Sequence, residues 1–170
     1  MTSASLSYAQ SLGEILSQEQ ASCLALLDTV EEERRAIKSL AVAEFHGVNT
    51  KRLAILETLQ SLNQSREAAV RQLAEAVHLP AAADSLRTLL DTWRSPAAEG
   101  LRREYEALMA TAKRAREEIK QNVVLIESLR EFLEGAVQAG TVSAVQGQAY
   151  DRSGQRVGTA SSAAVLYQQG

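Results

Sequence analysis

The chain has few of the residues that form disulfides, strands and thick cores. Its 170 residues include one cysteine, one tryptophan, two phenylalanines, four tyrosines and two prolines. A single cysteine excludes an intramolecular disulfide, and we expect Cys23, which stands among leucines, to be a small core residue. Because the apolar residues are mainly Leu, Ala and Val, helices packed side by side are favoured over a strand-rich or thick globular interior.

Charge of one sign and long apolar runs are also missing. The formal net charge is −3, and the 18 basic and 21 acidic residues are interspersed. Since nucleic-acid-binding surfaces are usually basic, we expect no nucleic-acid partner. No apolar run approaches the roughly 20 residues that span a bilayer, and the N-terminus lacks a signal-peptide pattern. We therefore predict no stable membrane insertion and a cytoplasmic location.

Apolar residues at helical spacing predict helices over most of the chain. Two amphipathic patterns cover residues 5–40 and 42–77, with a break or only a kink near Ser39–Ala43, and the second ends before Pro80. The second pattern is interrupted by Asn49, Arg52, Asn63 and Arg66. A short helix is then predicted, with Asp84 as its N-cap. Its apolar side consists of Leu86, Leu89, Leu90 and Trp93.

The longest pattern covers about residues 97–138. It begins at Ser95 and Pro96, which suit the N-cap and the first helical position. Its apolar residues then alternate spacings of four and three over more than four heptads, as in a coiled-coil seam. The seam positions are Leu101, Tyr105, Leu108, Ala112, Ala115, Ile119, Asn122, Ile126, Leu129 and Leu133. Val123, Phe132 and Val137 broaden this apolar face towards the C-terminal end.

Asn122 is the one polar residue of this seam, between Ile119 and Ile126. A buried asparagine costs stability but can fix the register against a neighbouring helix by hydrogen bonding. The other interpretation is that the seam is open at this point and the side chain is hydrated. The sequence alone leaves both interpretations open.

The composition changes after Gly140. Residues 141–170 are rich in Ser, Ala, Gly and Gln and contain too few large apolar residues for a core of their own. We predict a helical bundle over residues 1–140 and a flexible tail over residues 141–170 that orders on a partner. The predicted fold class is all-α: an elongated, antiparallel, coiled-coil-like bundle of about three long helices plus one short helix.

No residues have the spacing of a catalytic, cofactor-binding or metal site. Glu75 and His78 form one Glu-x-x-His pair, but the other histidine, His46, is preceded three residues earlier by Ala43. The second motif of a di-iron bundle therefore cannot be assembled. No glycine is followed by the lysine of a phosphate-binding loop. We predict that the protein is not an enzyme and has no cofactor, and we expect His78 at a helix C-terminus.

Four sequence features carry a resemblance to a known family. The first helix carries Leu26-Leu27-Asp28 followed by Glu31-Glu32-Glu33-Arg34. The second carries Lys51, Leu56, Leu59 and the stretch Asn63-Gln64-Ser65-Arg66 leading to Leu73. The long helix carries Asn122 followed by Val123, Val124 and Leu125, and the tail carries Tyr150, Asp151 and Gly154. In these features the chain resembles the flagellar export chaperones of the FlgN type. Val123 is a departure, since many relatives have glycine there.

The resemblance implies a function. FlgN-type chaperones bind the C-terminal helices of hook-associated (hook–filament junction) proteins, prevent their premature assembly and deliver them to the flagellar type III export apparatus. The implied partners are hook-associated proteins and components of that apparatus. The main alternative is a structural or adaptor coiled-coil protein that self-associates through its long helix. A third hypothesis is a helical-bundle enzyme or phosphorelay domain, which the lack of a recognisable site disfavours. The sequence is compatible with a monomer and with a homodimer.

The predicted partner-binding residues lie at the end of the long helix and in the tail. An aliphatic face of this kind can accept an amphipathic client helix, and a tail without its own core can fold over that helix. The predicted residues are Asn122, Ile126, Leu129, Phe132, Leu133, Val137, Val142, Val145, Tyr150, Val157, Val165 and Leu166.

Overall fold

The structure is a computed structural model that describes residues 3–79 and 85–146, with side chains described up to residue 139. Four helices account for nearly all of these residues. They are α1 (Ser3–Lys38), α2 (Val42–Ala76), α3 (Leu86–Thr92) and α4 (Pro96–Gln146). No strand occurs in the described ranges. The predicted all-α fold, with three long helices and one short one packed together, is confirmed.

The first long helix ends in a left-handed residue that is not glycine. Leu40 has a φ of 56°. The Ala41 N–H donates to the Ala36 carbonyl at 3.0 Å, and the Leu40 N–H donates to the Ile37 carbonyl at 3.2 Å. These two bonds form a Schellman motif, which reverses the chain direction within a few residues. Of the break and the kink that the sequence allows near Ser39–Ala43, the structure has the break.

The second long helix ends in the same motif. His78 has a φ of 55°. The Leu79 N–H donates to the Ala74 carbonyl at 3.0 Å, and the His78 N–H donates to the Glu75 carbonyl at 3.1 Å. Histidine tolerates the left-handed region better than most residues do. His78 therefore lies just past the C-terminus of α2, as predicted, with its side chain exposed.

The short helix α3 begins one residue later than predicted. Its N-cap is Ser85, whose hydroxyl oxygen accepts a hydrogen bond from the Thr88 N–H at 3.2 Å. Asp84, the predicted N-cap, lies outside the described residues. The apolar side of the helix is buried as predicted, at Leu86, Leu89, Leu90 and Trp93.

The start of α4 agrees with the sequence pattern, and its end lies further along the chain. Ser95 Oγ accepts a hydrogen bond from the Ala98 N–H at 3.2 Å, and Pro96 is the first helical residue. The helix continues to Gln146, past residue 138, at which the apolar pattern of the sequence ends. Residues 147–170 lie outside the described residues. The division into a bundle over 1–140 and a partner-ordered tail over 141–170 stays a prediction.

The chain divides into two compact units, Met1–Leu125 and Ile126–Gly170. In the first unit the main apolar cluster is formed by all four helices. Its most buried members are Leu12, Leu16, Val70, Leu73 and Leu89. A smaller cluster lies around Leu26, Leu27 and Ala115. In the second unit the described residues belong to α4 alone. Within the described residues, no helix is both long and apolar enough to cross a membrane.

Cys23 is a core residue, as predicted. It is buried in the main apolar cluster of the first unit. Its burial, together with the nearby negative charge of Glu19, raises the pKa of the thiol. A thiol with a raised pKa carries little thiolate at neutral pH and is therefore a poor nucleophile. Cys23 contributes packing rather than chemistry.

Candidate functional site

The seam of α4 is a packing surface in the first unit. One row of seam residues is buried, namely Leu101, Leu108, Ala115 and Asn122. The other row is partly buried and packs against the same apolar clusters, through Tyr105, Ala112 and Ile119. The predicted coiled-coil-like seam therefore serves, over this part of α4, to hold the bundle together.

Asn122 is buried and makes three hydrogen bonds to α1. Its side chain is 1% exposed. The Nδ2 atom donates to the Val30 carbonyl at 2.8 Å and to Glu33 Oε2 at 2.7 Å. The Oδ1 atom accepts from Arg34 Nε at 2.9 Å. Of the two interpretations of Asn122, the correct one is therefore that the side chain is buried and hydrogen-bonded to a neighbouring helix. A leucine at this position could form none of these bonds.

Glu33 is the centre of an ionic cluster that joins three helices. Arg52 on α2 binds both of its carboxylate oxygens, at 2.7 and 2.5 Å. Arg34 bonds Asn122 and also pairs with Glu118 on α4 at 2.7 Å. Burial alone would raise the pKa of Glu33. Hydrogen bonds from Arg52 and Asn122 and the charges of both arginines outweigh it, so the pKa of Glu33 is lowered.

A second buried ion pair follows the same antiparallel register. Arg66 Nε on α2 lies 3.0 Å from each carboxylate oxygen of Glu19 on α1. Glu19 and Glu33 are two heptads apart on α1, as Arg52 and Arg66 are on α2. From the sequence these arginines were expected only to interrupt an apolar seam. The equal spacing of acids and bases is the signal that could have predicted both pairs.

In the second unit the described apolar residues of α4 are largely uncovered. We define the C-terminal face as Ile126, Leu129, Phe132, Leu133 and Val137. Phe132 is 70% exposed and Val137 66%, and Ile126 and Leu133 are also exposed. Leu129 is half-buried. Large apolar side chains that stay exposed along one side of a helix are characteristic of a binding surface. This face is the candidate functional site.

The predicted partner-binding residues fall into four groups. Five of them form the C-terminal face. Asn122 lies inside the first unit, where it bonds α1. Val142 and Val145 belong to α4, but their side chains lie outside the described residues. Outside them altogether lie Tyr150, Val157, Val165 and Leu166. A direct role of these residues in binding a partner stays a prediction.

The described residues hold no group of three or more His, Cys, Asp or Glu side chains that could bind a metal ion. His46 on α2 and His78 after it are both exposed. The titratable groups that the structure brings together in the first unit include the cluster of Glu33 with Arg34 and Arg52. Because these charges are paired, the cluster suits a structural role better than acid–base chemistry.

Comparison with known proteins identifies one family. A family model described as FlgN protein matches residues 1–158 of the chain. No curated protein and no solved structure matches the chain. The matched range contains all four helices, the Asn122 hydrogen bonds and the C-terminal face. Since the match covers most of the chain, the protein belongs to the FlgN family of flagellar export chaperones.

Proposed function

We propose that this protein binds the C-terminal helices of flagellar hook-associated (hook–filament junction) proteins in the cytoplasm. It prevents their premature assembly and delivers them to the flagellar type III export apparatus. The C-terminal face carries this proposal, because an export chaperone needs an apolar surface that is free to accept a client. Membership of the FlgN family supports the same function.

The chemistry of the face fits an amphipathic client helix. Such a helix buries its own apolar stripe when it docks on an apolar partner surface. Fully burying one large apolar side chain contributes about 1.5–3 kcal/mol, so the face would contribute at most about 15 kcal/mol. The loss of translational and rotational freedom on association costs about 4–15 kcal/mol, which offsets much of this gain. The resulting complex is reversible, as the release of cargo requires.

The tail completes the proposed site. Residues after Gln146 include Tyr150, Val157, Val165 and Leu166, which are apolar but too few for a core. We propose that they order over the bound client. The free energy lost in ordering them lowers the net affinity and favours release.

A capture experiment tests the proposal. The full chain is immobilised and mixed with the C-terminal region of a hook-associated protein. We expect capture by the wild-type chain and a loss of at least tenfold in the double variant Ile126→Ser, Leu133→Ser. The matched control is Val42→Ser, Leu53→Ser, which changes two exposed apolar residues of α2. The control should capture client normally, and circular dichroism should show that all three proteins remain helical.

Two results would contradict the proposal. One is the absence of capture by the wild-type chain. The other is equal capture by the wild type and by the Ile126→Ser, Leu133→Ser variant. If the same variant instead converts a stable dimer to a monomer, with client capture unchanged, the face serves self-association and the structural coiled-coil alternative is favoured.

A further inference from the structure

A cavity of about 500 Å³ lies between α2, α3 and α4 in the first unit. Three arginines line it, Arg66 and Arg71 from α2 and Arg87 from α3. Among the described lining residues there is one acid, Glu67. Guanidinium groups bind the paired oxygens of carboxylates and phosphates better than any other side chain does. The lining of this cavity therefore suits an oxyanion.

Arg71 is not neutralised by the acid that is best placed on its own helix. Glu67 stands four residues before Arg71, which is the favourable spacing for an ion pair on a helix. The Glu67 carboxylate instead accepts a hydrogen bond from the Asn63 side-chain amide at 2.9 Å. Among the described residues, Arg71 has no ion-pair partner.

Arg87 is in the same situation on α3. Asp91 stands four residues after it, but the Asp91 carboxylate pairs with Arg102 on α4 at 3.6 Å. No described residue forms an ion pair with Arg87. Two arginines from different helices thus line one cavity, and on each helix the acid at pairing distance is bound elsewhere.

The charge of the lining favours a single carboxylate. Arg66 is already compensated, because its Nε atom lies 3.0 Å from each carboxylate oxygen of Glu19. Arg71 and Arg87 then stand against Glu67, which leaves a net charge of +1. A phosphate group carries about −1.5 to −2 at neutral pH and would be repelled by Glu67. One carboxylate matches the net charge.

The base and the size of the cavity indicate an acid that carries an organic group. Val70 and Leu86, which are 1% and 3% exposed, form its apolar base. Apolar surroundings lower the local dielectric constant and strengthen an ion pair made beside them. A volume of about 500 Å³ lies within the range of about 300–1,000 Å³ that is typical of sites for organic ligands. An inorganic anion would leave most of this space unfilled.

We propose that this cavity binds the carboxylate of an organic acid through Arg71 and Arg87. Tyr105 lines the cavity from α4, so that three helices contribute to the site. The same chemistry is offered by a free monocarboxylic acid and by a glutamate or aspartate side chain of a partner protein. The site shares no residue with the C-terminal face, and it stands independently of the proposed function.

Nuclear magnetic resonance titration of the full chain tests the site with three probes. They are butyrate, a short blocked peptide with one glutamate between leucines, and the same peptide with glutamine in place of glutamate. We expect saturable shifts of the Arg71 and Arg87 amide signals with the glutamate peptide, and at least tenfold weaker binding of the glutamine peptide. Equal affinity for butyrate would assign the site to free acids, and at least tenfold weaker binding of butyrate would assign it to a protein segment.

Substitution of the two arginines locates the binding. Arg71→Gln, Arg87→Gln should weaken binding of the glutamate peptide at least tenfold. The matched control is Arg103→Gln, Arg114→Gln, which removes two exposed arginines of α4 outside the cavity and should bind as the wild type does. Circular dichroism should show that all proteins remain helical, since all four arginines are exposed.

Three results would overturn the proposal. The first is the absence of saturable binding of either carboxylate probe by the wild type. The second is equal binding by the wild type and by Arg71→Gln, Arg87→Gln. The third is tighter binding of inorganic phosphate than of both carboxylate probes, with the same amide signals shifted.

A further variant examines a carboxylate of the chain itself. Asp84 precedes Ser85, which also lines the cavity, and it lies outside the described residues. We expect Asp84→Asn to bind the glutamate peptide as the wild type does. Binding by Asp84→Asn alone would show that the arginines serve this chain's own acid, and it would overturn the proposal.

Discussion

Asn122 occupies a seam position at which leucine would bury more apolar surface. The structure gives the asparagine three hydrogen bonds, all to α1. We expect Asn122→Leu to lower the free energy of unfolding by about 1–3 kcal/mol, because Glu33 and Arg34 lose a buried partner. Urea denaturation measures this. Asn49→Leu, at an exposed position of α2, is the control and should change stability by less than about 0.5 kcal/mol. Equal effects of the two changes would contradict the role given to Asn122.

Glu33 makes stability depend on pH. Its pKa in the folded protein is lowered from the ordinary value of 4.5, despite burial, by Arg52, Asn122 and Arg34. A lowered pKa means that the ionised carboxylate stabilises the fold fully above the ordinary value, and that this contribution is lost as the pH falls through the folded-state value. We expect the stability of the wild type to fall more steeply on acidification below 4.5 than that of Glu33→Gln. The urea midpoint, measured against pH for both proteins, checks this, and parallel curves would contradict it.

At the residue scale the sequence predicts where special side chains stand better than what they bond. The position of Asn122 in the seam is evident from the spacing, but its burial depends on where Val30 and Arg34 of another helix lie. Arg52 and Arg66 were expected to interrupt an apolar seam because their partners become identifiable only when the register of α1 against α2 is known. If α1 and α2 are assumed to pair in antiparallel order, the equal two-heptad spacing of the two glutamates and the two arginines predicts both ion pairs.

Helix ends are the elements at which this fold departs from common residue preferences. Leu40 takes the left-handed position that glycine usually occupies in a Schellman motif, and its side chain is 59% exposed. We expect Leu40→Gly to raise the free energy of unfolding by about 1 kcal/mol, because the left-handed conformation costs a side-chain-bearing residue about 1–2 kcal/mol. Thermal and urea unfolding measure the change.

A glycine placed elsewhere provides the control for Leu40→Gly. Ala54 lies exposed within α2, where glycine should cost about 1 kcal/mol. The two substitutions to glycine should therefore have opposite signs. Destabilisation by both would indicate that the Leu40 side chain makes a contact that matters more than its backbone strain.

The order and type of the elements could be predicted from the sequence because each has a periodic apolar pattern, although the boundary between α1 and α2 contains neither glycine nor proline. Ser95 with Pro96 marked the start of α4 to the residue. The cap of α3 was placed one residue too early, because Asp84 and Ser85 are both good capping residues and only the geometry of the Thr88 amide distinguishes them. The end of α4 was placed too early because glycine and serine after residue 139 resemble a tail in composition.

For the whole molecule, family and fold agree. The FlgN model matches residues 1–158, and the described residues of the chain, which are almost entirely helical, form a packed first unit and, in the second, a helix with an exposed apolar face. The widening of that face was visible in the sequence at Phe132 and Val137. Its exposure was not, because only the packing of the other helices shows which part of α4 is left uncovered.

Isothermal titration calorimetry tests the central claim most directly. The C-terminal region of a hook-associated protein is titrated into the full chain at several temperatures. We predict saturable binding with a negative change in heat capacity, because the C-terminal face and the client stripe leave water together. Both signals should be lost in Ile126→Ser, Leu133→Ser and kept in Val42→Ser, Leu53→Ser. No binding by the wild type, or binding with an unchanged heat capacity that the first variant does not weaken, would contradict the account.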